Sequence, residues 1–277
     1  MEDTKEVTGL ELIKSFDSFL FDADGVLWVG DRPLPGAVEF LRSLVDKGKN
    51  VFIVSNNATK TLNDYMLKCR KLGFDMITDN SIVNPALVLS HLLSKEKSDL
   101  PVYIVGSPAL QQELAKKGIG SFGVGPDPVE NYTSSLFIRD IDVSRPVRAV
   151  IVSYDIHVNY VKLMKASNYV HQEGVKFFAT NKDATFPGSN PNIRIPGSGM
   201  DVAAVEYVSG KQPIVIGKPS HSMFEYIKEK DNNMKTLLVG TGIHSMDEVH
   251  SFRLQKRLDL VPDFYSPSLS ELYSSIT

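Results

Sequence analysis

The stretch that decides the fold is FLFDADGVLW, residues 19–28. Its first three residues are apolar, as in a strand buried in a parallel sheet, and Asp22 and Asp24 follow directly. Gly25 then allows the chain to turn away sharply. Because ligands of open parallel sheets bind at the carboxyl ends of the strands, we expect both carboxylates at a binding edge. Two carboxylates there suit a single Mg²⁺ ion, although Asp-x-Asp-Gly is also common in solvated turns.

Short apolar runs recur along the chain and alternate with amphipathic segments of helical length. The predicted strands are residues 18–21, 51–54, 102–105, 149–152, 175–178 and 214–216. The predicted helices are residues 37–47, 62–72, 110–117, 158–171, 202–208 and 222–231. Two segments rich in Gly and Pro, 120–131 and 186–199, are predicted loops. The alternation of strand and helix predicts an α/β fold with mainly parallel sheets.

Polar residues follow the second predicted strand, 51–54. They are Ser55, Asn56 and Asn57, and a predicted helix begins shortly after them. A hydroxyl group, backbone amides and a helix N-terminus at one sheet edge can bind a phosphate group. Taken alone, Ser-Asn-Asn is equally an ordinary helix cap.

A lysine follows the predicted strand 214–216, in the sequence Gly217-Lys218-Pro219. It places an ammonium group at the end of another buried strand. A lysine in such a position is often simply solvated, so this motif has little weight alone. The three strand-end motifs indicate a functional site more strongly together than singly, because they occur in one chain and in this order.

With these three motifs the chain resembles the haloacid dehalogenase superfamily of phosphotransferases. Within it, the resemblance is to the branch of para-nitrophenylphosphatases, phosphoglycolate phosphatases and pyridoxal phosphatases. The likeness continues outside the motifs, in PLPGA at 33–37, ATNKD at 179–183, PGSG at 196–199 and PD at 262–263. It covers nearly the whole chain.

The resemblance implies a Rossmann-like parallel-sheet core that is interrupted by an inserted α/β cap domain. Ser55 and Lys218 are 163 positions apart, and this spacing needs an inserted domain. We expect the core to comprise residues 1–99 and 207–277, and the cap to comprise residues 100–206. The family also leaves open a homodimer formed through the cap.

The resemblance also assigns roles to the motif residues. Asp22 would attack phosphorus and form an aspartyl phosphate, and Asp24 would act as general acid and then general base. Asp22 and the Asp24 carbonyl group would also bind Mg²⁺. The residues expected to bind the phosphoryl group are Ser55, Asn56, Asn57 and Lys218. In the cap, Asn181, Asp183 and Phe186 are candidates for selecting the leaving group, although plain turn chemistry explains them equally well.

One family motif is not found in this chain. Family members have, after Gly-Lys-Pro and a helix, a strand that ends in Gly-Asp with a second Asp one turn later, and this pair completes the Mg²⁺ site. Either Thr241 stands where that Asp is expected, or a whole strand, loop and helix of about 30 residues is absent. The second alignment fits better, because residues 241–245 and 247–249 match the next family segment.

The absence has two expected consequences. The metal would lack an acidic ligand, unless Asp247 or Glu248 replaces it, and a lost ligand should cost more than the 10- to 100-fold typical of outer-shell losses. The parallel sheet would either keep a gap or take residues 237–239 into the vacated place.

Composition limits the classes of function. The chain has 30 Lys and Arg against 33 Asp and Glu, a net charge of -3 and a pI of about 6.1, so it has no basic field for nucleic acid or an anionic membrane. The N-terminus does not resemble a secretory signal, no apolar stretch reaches membrane-spanning length, and Cys69 is the single cysteine, which together predict a cytoplasmic protein.

Two functional hypotheses result. The first is a Mg²⁺-dependent phosphatase of small phosphomonoesters, of the phosphoglycolate or para-nitrophenyl phosphate type, weakened by loss of the Gly-Asp motif. Its partner would be a small phosphorylated metabolite. The alternative is a catalytically inactive pseudophosphatase that binds phosphate or a partner protein.

Overall fold

The computed structural model describes residues 4–128, 141–186, 192–228, 235–241, 246–256 and 261–276. The chain divides into two compact units. The first unit comprises residues 1–54, 65–82 and 228–277, and the second unit comprises residues 55–64 and 83–227. No helix in the described ranges is long and apolar enough to cross a membrane.

The strands are short and mostly parallel, as the apolar runs predicted. In chain order they are β1 (Lys5–Glu6), β2 (Ser18–Asp22), β3 (Trp28–Val29), β4 (Arg32–Pro33), β5 (Asn50–Val54), β6 (Ile82–Val83), β7 (Val102–Val105), β8 (Ser121–Phe122), β9 (Ala149–Val152), β10 (Lys176–Ala179), β11 (Thr185–Phe186), β12 (Ile195–Pro196), β13 (Ile214–Val215), β14 (Leu237–Val239) and β15 (Phe264–Ser266).

The helices separate most of these strands, so the predicted α/β class is confirmed. They are α1 (Gly9–Ser15), α2 (Ala37–Asp46), α3 (Leu62–Lys71), α4 (Pro85–Ser94), α5 (Pro108–Ala115), α6 (Tyr160–His171), α7 (Ser198–Ser209), α8 (His221–Lys228), α9 (Met246–Leu254) and α10 (Leu269–Ser274). A 3₁₀ turn spans Asp79–Ser81. The end of the predicted helix at 229–231 and the family-like residues 242–245 lie outside the described ranges.

The first unit contains two separate three-stranded sheets, in which β2 and β5, β1 and β15, and β14 and β15 are parallel neighbours. One has the strand order β2-β5-β6, and the other has the order β1-β15-β14. Among the described residues, β14 pairs with β15 and does not pair with β2. Among the described residues, 237–239 therefore do not lie beside β2, and the absence of a further strand stays a prediction.

Helix α2 packs on β2 and β5 because its apolar residues form one stripe. Phe40, Leu41 and Leu44 are almost completely buried. The Phe40 ring meets the Phe21 ring edge-on, with 6.2 Å between the centroids. This packing anchors β2 and with it the start of the loop that carries the predicted carboxylates.

The second unit contains a five-stranded sheet in the order β13-β10-β9-β7-β8, in which all neighbours are parallel. Every residue of β7 and β9 is buried. Helices α6 and α7 contribute Tyr169 and Val202 to the core that covers β9. Burial on both faces explains why these strands are continuous apolar runs rather than alternating ones.

The two predicted loops are only partly irregular. Segment 120–131 contains β8, which pairs with β7, and segment 186–199 contains β12 and the first residues of α7. Two-residue strands are too short to show a side-chain period, so composition alone misassigned them. Residues 129–131 and 187–191 of these segments lie outside the described ranges. The sequence reading also missed α4, which Asn84 caps by accepting a hydrogen bond from the Leu87 N–H at 2.9 Å.

Candidate active site

Asp22 and Asp24 lie in the tight turn that follows β2 in the first unit. Asp22 is the last residue of the strand and pairs in register with Val54 of β5. Its Oδ1 accepts a hydrogen bond from the Ala23 N–H at 2.7 Å. Gly25 has φ +88°, and its N–H donates to the Trp28 carbonyl oxygen at 2.8 Å. The turn therefore presents both carboxylates at the carboxyl end of the strand, as predicted.

The carboxylate of Asp24 contacts two side chains that the sequence reading did not assign. Its Oδ1 accepts a hydrogen bond from Trp28 Nε1 at 3.0 Å, and Lys68 Nζ lies 3.9 Å from the same oxygen. Lys68 Nζ is also 4.6 Å from the centroid of the Trp28 ring. Trp28 is fully buried, and the Lys68 side chain is only 14% exposed. Burial limits the movement of both side chains, so they restrict the orientation of Asp24.

The sequence pattern around Lys68 indicates that this lysine has an anionic partner. Tyr65, Cys69 and Leu72 are buried, and together with Lys68 they occupy the positions i, i+3, i+4 and i+7 of one helix face. A lysine within an apolar stripe needs an anionic partner nearby. The stripe does not reveal which carboxylate this is, because Lys68 and Asp24 are far apart in sequence.

The Ser55-Asn56-Asn57 segment begins the second unit directly after β5. Ser55 is buried, and its hydroxyl oxygen accepts a hydrogen bond from the Asn57 N–H at 3.1 Å. Asn57 Oδ1 accepts from the N–H and the hydroxyl of Thr59, at 2.8 and 2.6 Å. The Asn57 side chain thus forms a local turn that leads toward α3, in agreement with the cap interpretation of this segment.

The Asn56 side chain binds the backbone of Lys218. Its Oδ1 accepts a hydrogen bond from the Lys218 N–H at 2.7 Å, and its Nδ2 donates to the Lys218 carbonyl oxygen at 3.2 Å. One amide thereby satisfies both polar groups of a residue 162 positions away. The second and third motifs are therefore brought together in the second unit, and the side chain of Asn56 positions the lysine loop. Its predicted contact with phosphate stays a prediction.

The candidate residues of the cap loop also contact Asn56. Asn181 Nδ2 donates to the Asn56 carbonyl oxygen at 3.0 Å, and Asp183 Oδ2 accepts from Asn56 Nδ2 at 3.2 Å. Asn181 Oδ1 accepts from the Ser198 hydroxyl at 2.7 Å. These bonds hold the loop in place, as turn chemistry would. Phe186 differs, because it is 39% exposed and packs edge-on against Tyr154, with 5.3 Å between the centroids.

The described donors suit Mg²⁺ in kind but are few in number. Carboxylate oxygens are the ligands that Mg²⁺ prefers, and Asp22 and Asp24 supply them. No group of three His, Cys, Asp or Glu side chains that could hold a metal occurs within the described ranges. Asp247 and Glu248 lie in the first turn of α9 and form no such group with the pair. The described residues thus provide part of a Mg²⁺ site.

Comparison with known proteins identifies the family. A family model for haloacid dehalogenase-like hydrolases matches residues 19–120. The rat glycerol-3-phosphate phosphatase is 33% identical over 298 residues, which cover 96% of this chain and 92% of that protein. A Caenorhabditis elegans protein named as a NipSnap protein is 45% identical over 222 residues, 78% of this chain but 42% of that protein, so the chain spans less than half of it.

A solved structure shows the same fold. It is the Mycobacterium tuberculosis glycerol phosphate phosphatase in complex with magnesium, with a TM-score of 0.74, 24% identity, and coverage of 96% of this chain and 78% of that chain. The parallel sheets, the ordered strand-end motifs and the similarity over nearly the whole length lead to one assignment. The chain belongs to the haloacid dehalogenase-like hydrolases, in the branch of the glycerol phosphate and 4-nitrophenyl phosphatases, which have an α/β core with a cap domain.

Proposed function

We propose that this protein is a Mg²⁺-dependent phosphatase of small phosphomonoesters that acts through an aspartyl phosphate, with activity weakened by loss of the Gly-Asp motif. The observation that carries the proposal is the register of Asp22 with Val54 at the carboxyl ends of two parallel strands. The register supports the proposal because Val54, the residue that pairs with Asp22, directly precedes Ser55 of the second motif in the sequence.

The reaction follows from the carboxylates. An Asp22 oxygen attacks phosphorus as the ester P–O bond breaks, and Asp24 transfers a proton to the departing alkoxide. Asp24 then accepts a proton from the water that attacks the aspartyl phosphate, which releases phosphate and restores Asp22. Ser55 and Lys218 would stabilise charge on the phosphoryl oxygens.

Asp22 and the Asp24 carbonyl group would hold Mg²⁺, which when bound neutralises part of the charge where two anions meet. A protein of the same fold has been solved with magnesium, which supports this part of the proposal.

Two observations support the loss of a strand, loop and helix. The alignment with the rat protein extends over 298 positions. It includes 96% of the 277 residues of this chain, about 266 residues, so roughly 30 aligned positions have no residue in this chain. The first unit also has two separate sheets, with β2 and β14 at the edges of different ones. Both agree with the absence of one strand and its helix, a unit of about 30 residues.

The substrate class is proposed from the relatives and the surface chemistry. Glycerol phosphate and nitrophenyl phosphate are small monoesters, and the net charge of -3 does not favour a long polyanion. We propose that residues 100–206 select the leaving group, with the exposed Phe186, which packs against the partly buried Tyr154, as its apolar contact. A homodimer through the cap and the absence of nucleic-acid binding stay predictions. The buried free thiol of Cys69 is compatible with the proposed cytoplasmic location.

A second candidate is an inactive member of the family that binds phosphate or a partner. The small number of acidic side chains near Asp22 and Asp24 in the described ranges favours it. Titration of the protein with MgCl₂ by calorimetry separates the two candidates. Saturation at low millimolar Mg²⁺ supports the phosphatase, whereas failure to saturate below tens of millimolar supports the binding protein.

Substitution of the nucleophile tests the phosphatase directly. Asp22→Asn should abolish hydrolysis of para-nitrophenyl phosphate at saturating MgCl₂, because an amide cannot form the acyl phosphate. Glu39→Gln, an exposed carboxylate change on α2 outside the motifs, is the matched control and should retain wild-type turnover. Turnover by Asp22→Asn equal to wild type would show that another nucleophile, or a contaminating enzyme, is responsible.

A further inference from the structure

We propose that Lys68 and Trp28 form a clamp that orients the Asp24 carboxylate for proton transfer. The inference rests on the proposed function, since it assigns positioning residues to the general acid. Both side chains contact the same oxygen, Oδ1: Trp28 Nε1 donates a hydrogen bond to it at 3.0 Å, and Lys68 Nζ forms an ion pair with it at 3.9 Å. Neither of these two contacts involves Oδ2.

This asymmetry distinguishes the two oxygens of the Asp24 side chain. Trp28 and Lys68 hold Oδ1, so Oδ2 is the oxygen left to face the leaving group, on a side chain that is 44% exposed. On ester cleavage, the Oδ2–H bond breaks, its proton passes to the leaving oxygen, and the electron pair of the P–O bond stays on that oxygen. The clamp aims Oδ2 and takes no part in the transfer.

Three features make the clamp rigid. The Trp28 side chain is fully buried and meets Phe74 edge-on, with 5.7 Å between the centroids. The Lys68 ammonium lies over the indole ring, so a cation–π contact holds it in place. The β-bridge between Asp24 and Trp28 ties the two backbones together. A misplacement of about 1 Å at a reacting group can cost roughly 100-fold in rate, so such rigidity matters for turnover.

The experiment compares four variants of the full chain in turnover, and Asp24→Ala is added for a spectroscopic readout. Lys68→Met removes the cation, Lys68→Arg keeps it, and Trp28→Phe keeps an aromatic ring but removes the N–H donor. Lys71→Met is the matched control, because Lys71 lies on the same helix and pairs with Asp31 at 2.6 Å on the surface. Thermal melting by circular dichroism confirms that each variant is folded.

Turnover is measured on two esters that differ in their need for an acid. An alkyl alcohol such as that of glycerol 3-phosphate needs protonation as it leaves, whereas para-nitrophenolate hardly does. Lys68→Met and Trp28→Phe should lower kcat for the alkyl ester by about 10- to 100-fold and for the aryl ester by less than about 3-fold. Lys68→Arg should recover most of the loss, and Lys71→Met should change neither rate.

A second readout does not depend on activity. Trp28 is the only tryptophan of the chain, so its indole N–H gives a single resonance in a proton–nitrogen NMR spectrum. Asp24→Ala and Lys68→Met should both shift that resonance, and Lys71→Met should leave it unchanged. An unshifted resonance in Lys68→Met overturns the clamp whatever the turnover.

The two readouts separate failure of the clamp from failure of the proposed function. If the wild type hydrolyses neither ester, the phosphatase proposal fails, and the indole resonance alone decides whether the clamp exists. If the wild type is active and Lys68→Met keeps the wild-type ratio of alkyl to aryl turnover, the positioning role is overturned even when the resonance shifts.

Discussion

Replacing Asp201 by Asn should stabilise the second unit at neutral pH and leave its stability at acidic pH unchanged. Asp201 is 3% exposed and shares a buried site with the ion pair of Asp155 and Lys162. One ammonium group therefore faces two carboxylates. Burial, and then the charge of Asp155, raise the pKa of Asp201 to about 6 from its ordinary value of 3.8.

The size of the effect follows from that shift. Each pKa unit corresponds to about 1.4 kcal/mol, so a rise of roughly two units lowers the free energy of unfolding by about 3 kcal/mol once both states are ionised. In the acid range Asp201 is protonated in both the folded and the unfolded state, so its raised pKa no longer lowers the free energy of unfolding. Stability should therefore fall as the pH rises from about 4 to 6, and then stay level. Asn carries no charge and can still accept the backbone N–H of Asp155, so Asp201→Asn should recover about 2 to 3 kcal/mol at pH 8.

The assay compares the variant with wild type at pH 4 and pH 8. Hydrogen exchange of the amides in β9 and α6 reports the opening of the second unit, because both elements pack around this site. Asp99→Asn, an exposed carboxylate change in the same unit, should have no effect at either pH. Chemical denaturation followed by circular dichroism provides an independent measurement.

Two outcomes would refute the reasoning. Equal stabilisation at pH 4 and pH 8 would show that the gain is unrelated to ionisation. Destabilisation at pH 8 would show that the attraction of Lys162 for Asp201 outweighs burial and the repulsion from Asp155.

Three further predictions concern the candidate active site. Asp24→Asn should slow hydrolysis of an alkyl phosphate by about 100-fold and of para-nitrophenyl phosphate much less, and steady-state rates that fall equally on both esters would contradict its role as the acid. We expect Mg²⁺-dependent turnover to rise by at least 10- to 100-fold when a family-type strand, Gly-Asp loop and helix are inserted between Asn233 and Met234, which lie outside the described ranges. The same insert with Ala in place of its Asp should raise only the melting temperature. Gly217→Ala should lower the melting temperature, because its Cβ would lie 2.4 Å from the Thr180 carbonyl oxygen and 2.6 Å from Asn56 Oδ1; an unchanged melting curve would mean that the loop moves aside freely.

The strands could be predicted because their signal is local. The buried runs at β7 and β9 were predicted with their observed bounds, since every residue in them is apolar and a strand covered on both faces requires that pattern. The start of α7 at Ser198 was placed four residues too late, because Ser198, Gly199 and Asp201 do not read as an apolar helix face. The two-residue strands β8 and β12 were missed, since their existence depends on a neighbouring strand or turn rather than on their own composition.

The sequence by itself determined the family, the order of the three motifs and the delivery of Asp22 and Asp24 to a strand end, because each depends on residues that are adjacent in the chain. Only the tertiary structure decided what those groups contact. Lys68 approaches Asp24 across the first unit, and Asn56 binds the backbone of Lys218 across 162 positions of the second. A lysine and an asparagine are both satisfied by water in an unfolded chain, so their partners are chosen by the packing that excludes water, and no local pattern records that choice.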